Sequence, residues 1–146
     1  MFKHILIPTD GSPLAQIAIY SGFALAKDAG AKVTVITVAE PFHIVAADAE
    51  NIAIITEREE THICDEAEYV LKDTQARAKT LGLECDALFA RATKAHEAII
   101  EAANQNGCDL IAMASHGRKG VSAMVLGSVT SKVLSNSNIP VLVYRQ

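Results

Sequence analysis

The chain has no tryptophan and only 5% aromatic residues, so the core it forms is aliphatic. No run approaches the ~20 apolar residues of a membrane-spanning helix. The opening MFKHILIPTDGS is too short and too early broken for a signal peptide and reads as a first core strand. Cysteine is scarce: Cys64, Cys85 and Cys108 are odd in number and share no metal-type spacing, so they read as buried or half-buried thiols of a reducing cytosol. No basic run exceeds a pair and the net charge is −4, which argues against a nucleic-acid surface. The patterns GxxxxGK[ST], GxGxxG, GxSxG and HExxH are all missing. Their absence removes the Walker loop, the dinucleotide fingerprint, the hydrolase elbow and the zinc-protease helix. His4, His43, His62 and His96 show no convergent spacing and receive no role.

What is present is a regular alternation. The 146 residues, half of them hydrophobic, are the size of one domain with one substantial core, and residues 1–146 are read as a single unit. Ile5–Ile7 before Pro8 reads as a strand buried on both faces. Ser12 can cap a helix with Pro13 in its first turn, and Leu14, Ile17, Ala18, Ser21 and Leu25 repeat at helical spacing. Gly22 inside that helix costs about 1 kcal/mol against alanine, and close helix–sheet packing would explain it. Gly30 ends the helix. Val33–Val38 is a second strand, stopped by Glu40–Pro41.

Residues 42–56 are apolar but aperiodic, equally a loop or a short helix, where lids and partner contacts occur. A helix follows over Glu57–Leu81, with Ile63, Ala67, Val70, Leu71, Thr74, Ala78 and Leu81 on one face. Leu83–Ala90 alternates roughly, as an edge strand does. Thr93 is a candidate cap for a helix buried through Ala95, Ala98, Ile99, Ala102 and Ala103. Asp109–Ala114 is a fourth strand. Ser122–Leu134 is a last helix with Val125, Leu126, Val129 and Val133 inward. Val141–Tyr144, introduced by Pro140, is a fifth strand. Strands alternating with helices imply an α/β fold, a doubly wound parallel sheet with helices on both faces.

The stretch DLIAMASHGRKGVSAMVLGSV (Asp109–Val129) carries the chemistry. A strand opens into a small-residue turn and then a helix start, which offers free backbone N–H groups and a positive dipole end to a phosphate. Ser115, Gly117 and Gly120 keep bulk away, while Arg118 and Lys119 add charge. An ordinary αβ turn rich in small residues is the plain alternative.

Nine residues separate Gly117 from Gly127, and Ser128 follows. With Ala114, this resembles the nucleotide-binding signature of the universal stress protein family: glycine, two residues, glycine, nine residues, then Gly-Ser or Gly-Thr. Ala114 stands where the first glycine would be, and a methyl there costs about 1 kcal/mol if φ must be positive. PTDGS (Pro8–Ser12) and IPVLVYR (Ile139–Arg145) resemble that family's termini. The resemblance implies strand order 3-2-1-4-5, with a crevice at the switch between strands 1 and 4.

It also implies a nucleotide site made by Pro8, Thr9, Asp10, Val38, Ala114, Ser115, His116, Gly117, Arg118, Gly120, Gly127, Ser128 and Val129. Asp10 would lie beside ribose and phosphates or hold hydrated Mg²⁺; alternatively it makes an Asx turn. Val38 would meet adenine through its backbone, and His116 would touch phosphate or stay a surface turn residue. Arg91 could reach an anion but reads as exposed. The implied function is an ATP-binding stress-response regulator, cytoplasmic, homodimeric through the last strand, with a further regulatory protein as partner. Two alternatives stand beside it: a nucleotide-free interaction protein, and a slow ATPase or self-phosphorylating enzyme using Asp10, bound Mg²⁺ and a loop serine.

Overall fold

In the computed structural model of the chain, residues 1–41, 49–117 and 125–145 are described, the side chains of 49–52 and 55 excepted. The elements run β1 (His4–Pro8), α1 (Pro13–Ala29), β2 (Lys32–Ala39), α2 (Ala49–Thr80), β3 (Cys85–Arg91), α3 (Ala95–Gln105), β4 (Leu110–Ala114), α4 (Ser128–Asn136) and β5 (Val141–Tyr144). All pairings are parallel and the sheet order is β3-β2-β1-β4-β5, as expected.

The alternation of β1 builds two cores. Ile5 and Ile7 face α1 and α2, packing with Ile19, Phe23, Leu71 and Ala78. Leu6 faces the other side, with Ile99, Ala103 and Val133 of α3 and α4. Successive side chains of a strand point to opposite faces, so a run of three aliphatics is what a strand covered on both sides requires.

α1 starts as its sequence implies. Ser12 is the N-cap, its hydroxyl accepting from the Ala15 N–H, and Pro13 follows it. Gly30 closes the helix at φ +65, a left-handed conformation that a side chain would strain. Gly22 is explained by close packing, because a Cβ built on it would lie 2.6 Å from Ile7 Cδ1. The buried stripe is Leu14, Ala15, Ala18, Ile19, Gly22, Phe23 and Ala26, so the expected Ile17 is turned out and 37% exposed. Ser21 and Leu25 are only partly buried.

Other boundaries move. α2 begins at Ala49, so the helical alternative holds for the latter part of the aperiodic segment; residues 42–48 lie outside the described residues. Its buried contacts are Ala67, Leu71, Thr74 and Ala78, with Ile63 and Val70 half-buried and Leu81 exposed beyond its end. α3 is capped at Lys94 with no side-chain bond, so Thr93 is not the cap. α4 begins at Ser128, because Gly127 takes an extended conformation (φ −60, ψ 153); residues 122–124 of the expected helix lie outside the described residues. Val125 is therefore not inward but 66% exposed, and Val133 and Thr130 carry the buried side of the helix. Cys64 is exposed, against expectation, while Cys85 is half-buried and Cys108 buried. No helix among the described residues is long and apolar enough to cross a membrane.

Candidate functional site

Strands β1 and β4 are neighbours whose following helices lie on opposite faces, so the chain parts between their carboxyl ends. On the β1 side the corner is tightly bonded. Thr9, buried, donates its N–H to the Ile36 carbonyl at 2.8 Å and accepts the Thr37 hydroxyl on its own carbonyl at 2.9 Å. Gly11 has φ +77, and its N–H reaches Thr9 Oγ1 at 3.2 Å. Asp10 Oδ1 accepts the Ser12 N–H at 2.9 Å. Asp10 thus makes the Asx turn weighed from the sequence, fixing the entry to α1.

On the β4 side, the Ser115 N–H donates to the Tyr144 carbonyl at 2.9 Å, and the Ser115 carbonyl accepts the Gly127 N–H at 2.7 Å. The Thr130 hydroxyl donates to the Ala114 carbonyl at 2.8 Å, pulling the first turn of α4 onto the end of β4. Ser115 Oγ lies 3.2 Å from His116 Nδ1. Gly127 permits this closure, since a Cβ on it would be 2.8 Å from His116 Cα. As N-cap it brings no side-chain acceptor to the N–H groups at the start of α4.

The two sides meet at one point. A Cβ built on Gly117 would lie 2.6 Å from Asp10 Oδ2. The first glycine of the turn is therefore opposite the carboxylate that follows β1, and the fold joins the Pro8–Ser12 and Asp109–Val129 segments.

Ala114 does not disturb this. Among the described residues, which include Ala114, none other than glycine has positive φ, so the left-handed conformation that would penalise a methyl is not used at this position. Its side chain is buried against Leu14, Ala18 and Tyr144, on the α1 side.

Val38 is placed by β2 outlasting β1. The Ile36 carbonyl points to β1, where Thr9 uses it, and the Ala39 carbonyl points to β3, where the Ala92 N–H reaches it at 3.1 Å. Peptide groups alternate sides along a strand, so those of Val38 turn again toward β1, beyond its last residue Pro8. Val129 is half-buried against the α3–α4 core and Ser128 is exposed at the helix start. Arg118, Lys119 and Gly120 lie outside the described residues.

Arg91 departs from expectation. It is not a free surface cation but forms a two-pronged pair with Glu60 of α2, one N–H···O contact measuring 2.9 Å, with Cys64 Sγ 3.6 Å away. Sequence spacing carries no signal for this pair, nor for the hydroxyl contacts of Thr37 and Thr130, because each joins residues on different elements.

A family model described as the universal stress protein family matches residues 1–145. The chain is 31% identical to universal stress protein MJ0531 of Methanocaldococcus jannaschii, over 100% of this chain and 84% of that protein. The solved structure of MJ0577, from the same organism, superposes with TM-score 0.84 at 28% identity, covering 100% of this chain and 97% of that one. At the level of fold alone, a universal stress protein solved in complex with cAMP matches with TM-score 0.71 and 20% identity, over 99% of this chain and 97% of that one.

Proposed function

The chain belongs to the universal stress protein family, and from that premise we propose that it is a regulatory module that binds an adenine nucleotide, ATP first among them, in the crevice between β1 and β4. The observation that carries this reading is the apposition of Gly117 and Asp10, with Gly127 opening α4 just behind it. A glycine-lined turn leading into a helix start without a side-chain cap suits a phosphate chain. The cAMP complex of a protein of the same fold supports an adenine ligand.

In this reading Gly117, Arg118, Gly120, Gly127, Ser128 and Val129 surround the phosphates. Ser115 and His116 form the wall below them. Thr9 and Asp10 face the ribose, with Asp10 the carboxylate beside a hydrated Mg²⁺, which would neutralise phosphate charge. Val38 presents a peptide N–H and C=O to the base edge. Pro8 and Ala114 end the two strands that frame the crevice. Binding would bias the turn between β4 and α4 and so alter the surface offered to a protein partner.

The module is further proposed to work in the cytoplasm as a homodimer through β5, an edge strand whose Leu142 is 37% exposed. Sedimentation showing only monomer at micromolar concentration rejects the dimer.

Calorimetry tests the nucleotide. Saturable heat with ATP, lost in Gly117→Val, is expected. Absence of heat with ATP, and no nucleotide released on denaturing the purified protein, rejects the reading. Ala114→Gly is expected to leave affinity unchanged, since that methyl packs on α1.

A further inference from the structure

The last three residues of β2 are held differently from the rest. Along Val33–Ile36, β2 is flanked by β1 on one side and β3 on the other. Beyond Thr9 no described strand pairs with β2 on the β1 side. Thr37, Val38 and Ala39 then pair only with Phe89, Ala90 and Arg91, and the ladder finishes with the Ala92 N–H on the Ala39 carbonyl. Apart from the Thr37 hydroxyl contact with Thr9 and the packing of the Val38 side chain on the α3–α4 core, the Val38 peptide edge depends on the end of β3.

β3 is the sheet's edge strand: Leu88 and Ala90 pack on the α3–α4 core, but none of its residues is fully buried, so packing holds its end less firmly than it holds the central strands. The part of α2 above it is no better anchored: among the described side chains of 53–66 none is buried. Between these two stands the Arg91–Glu60 pair. Both terminal guanidinium nitrogens reach the Glu60 carboxylate, the guanidinium lies 5.7 Å from the Phe89 ring centroid, and the Arg91 side chain is only 27% exposed. A two-pronged, partly shielded contact of this kind is directional in a way that a lysine pair is not.

We infer that Arg91 is a positioning residue: by clamping the end of β3 to Glu60 of α2, it fixes the Val38 peptide edge against which the nucleotide base would sit. The ligand half of this inference rests on the nucleotide reading above; the mechanical half does not.

Two measurements on the full chain test it. In the ligand-free protein, hydrogen exchange at the Ala92 amide is expected to quicken about tenfold in Arg91→Met and in Glu60→Gln, with the Thr9 and Ile111 amides unchanged. Equal Ala92 exchange in wild type and both variants overturns the clamp. In calorimetry, ATP affinity is expected to fall about fivefold or more in Arg91→Met, with tripolyphosphate affinity, which needs no base edge, unchanged. Arg91→Lys, which keeps the charge with a single contact point, is expected to recover part of the ATP loss. A parallel fall in both ligands, or no fall in either, overturns the positioning role. A wild-type chain that binds neither ATP nor tripolyphosphate overturns the nucleotide reading and the ligand half with it, and the exchange result still decides the clamp.

Discussion

A methyl at position 117 would press on Asp10 Oδ2 at 2.6 Å. That oxygen ends a side chain, but the other oxygen holds the Ser12 N–H, so the carboxylate cannot swing away without breaking the turn into α1. Gly117→Ala is expected to cost about 1.5 kcal/mol, the scale of one hydrogen bond to a charged group, read by urea unfolding. Gly22→Val is expected to cost about 1–3 kcal/mol by overpacking, because the branch would enter the space of Ile7 Cδ1. The cysteines separate by burial. Desolvation pushes the thiols of Cys85 and Cys108 up to about 11, with Asp86 and Asp109 adding to it, while Cys64 lies exposed. Iodoacetamide at mildly alkaline pH is expected to modify Cys64 alone in the folded protein and all three cysteines after denaturation.

Among the elements, α2 is long and unevenly supported. Among its described side chains the buried ones begin at Ala67, and the stretch before that reaches the sheet through Glu60. Amides of 53–63 are therefore expected to exchange at least about tenfold faster than those of 67–78. The start of β4 is tied differently. Asp109 accepts the backbone N–H groups of Lys3 and His4, joining β4 to the first residues of β1. Burial raises its pKa, but those N–H bonds outweigh burial and hold the carboxyl below its ordinary 3.8. A depressed folded value means that the stabilisation is present above the ordinary value and disappears as pH falls through the lower, folded one. The stability gap between wild type and Asp109→Asn is thus expected at neutral pH and is expected to close in acid below about 3.8.

For the molecule as a whole, a nucleotide that binds only the folded chain must stabilise it. ATP at a hundredfold its dissociation constant is expected to add about 2.7 kcal/mol, enough to raise the melting temperature by about 5–10 °C. Gly117→Val, with its phosphate turn blocked, is expected to show no such rise by scanning calorimetry. Much of this architecture is legible in the chain, because strand and helix periods, the Ser12–Pro13 start and the closing glycines act within a few residues of one another. The first helix shows the limit. Leu14 and Ala18 of the helical stripe face inward but Ile17 does not, since which flank of a broad apolar stripe meets the sheet depends on Ile7 and Ala112. The last helix shows another: the helical spacing read through Val125–Gly127 is overruled at Gly127, which takes an extended conformation so that its N–H can reach Ser115.

By itself the sequence determined the α/β alternation, the edge character of the third strand and the glycine-bearing turn after the fourth, all encoded in local period and residue type. Only the tertiary structure decided that Gly117 faces Asp10, that the Ala114 methyl turns to α1 and that Arg91 is bound by Glu60. The reason is physical: such contacts arise between segments far apart in the chain, and the parallel sheet, not any neighbour in sequence, sets the distance between them.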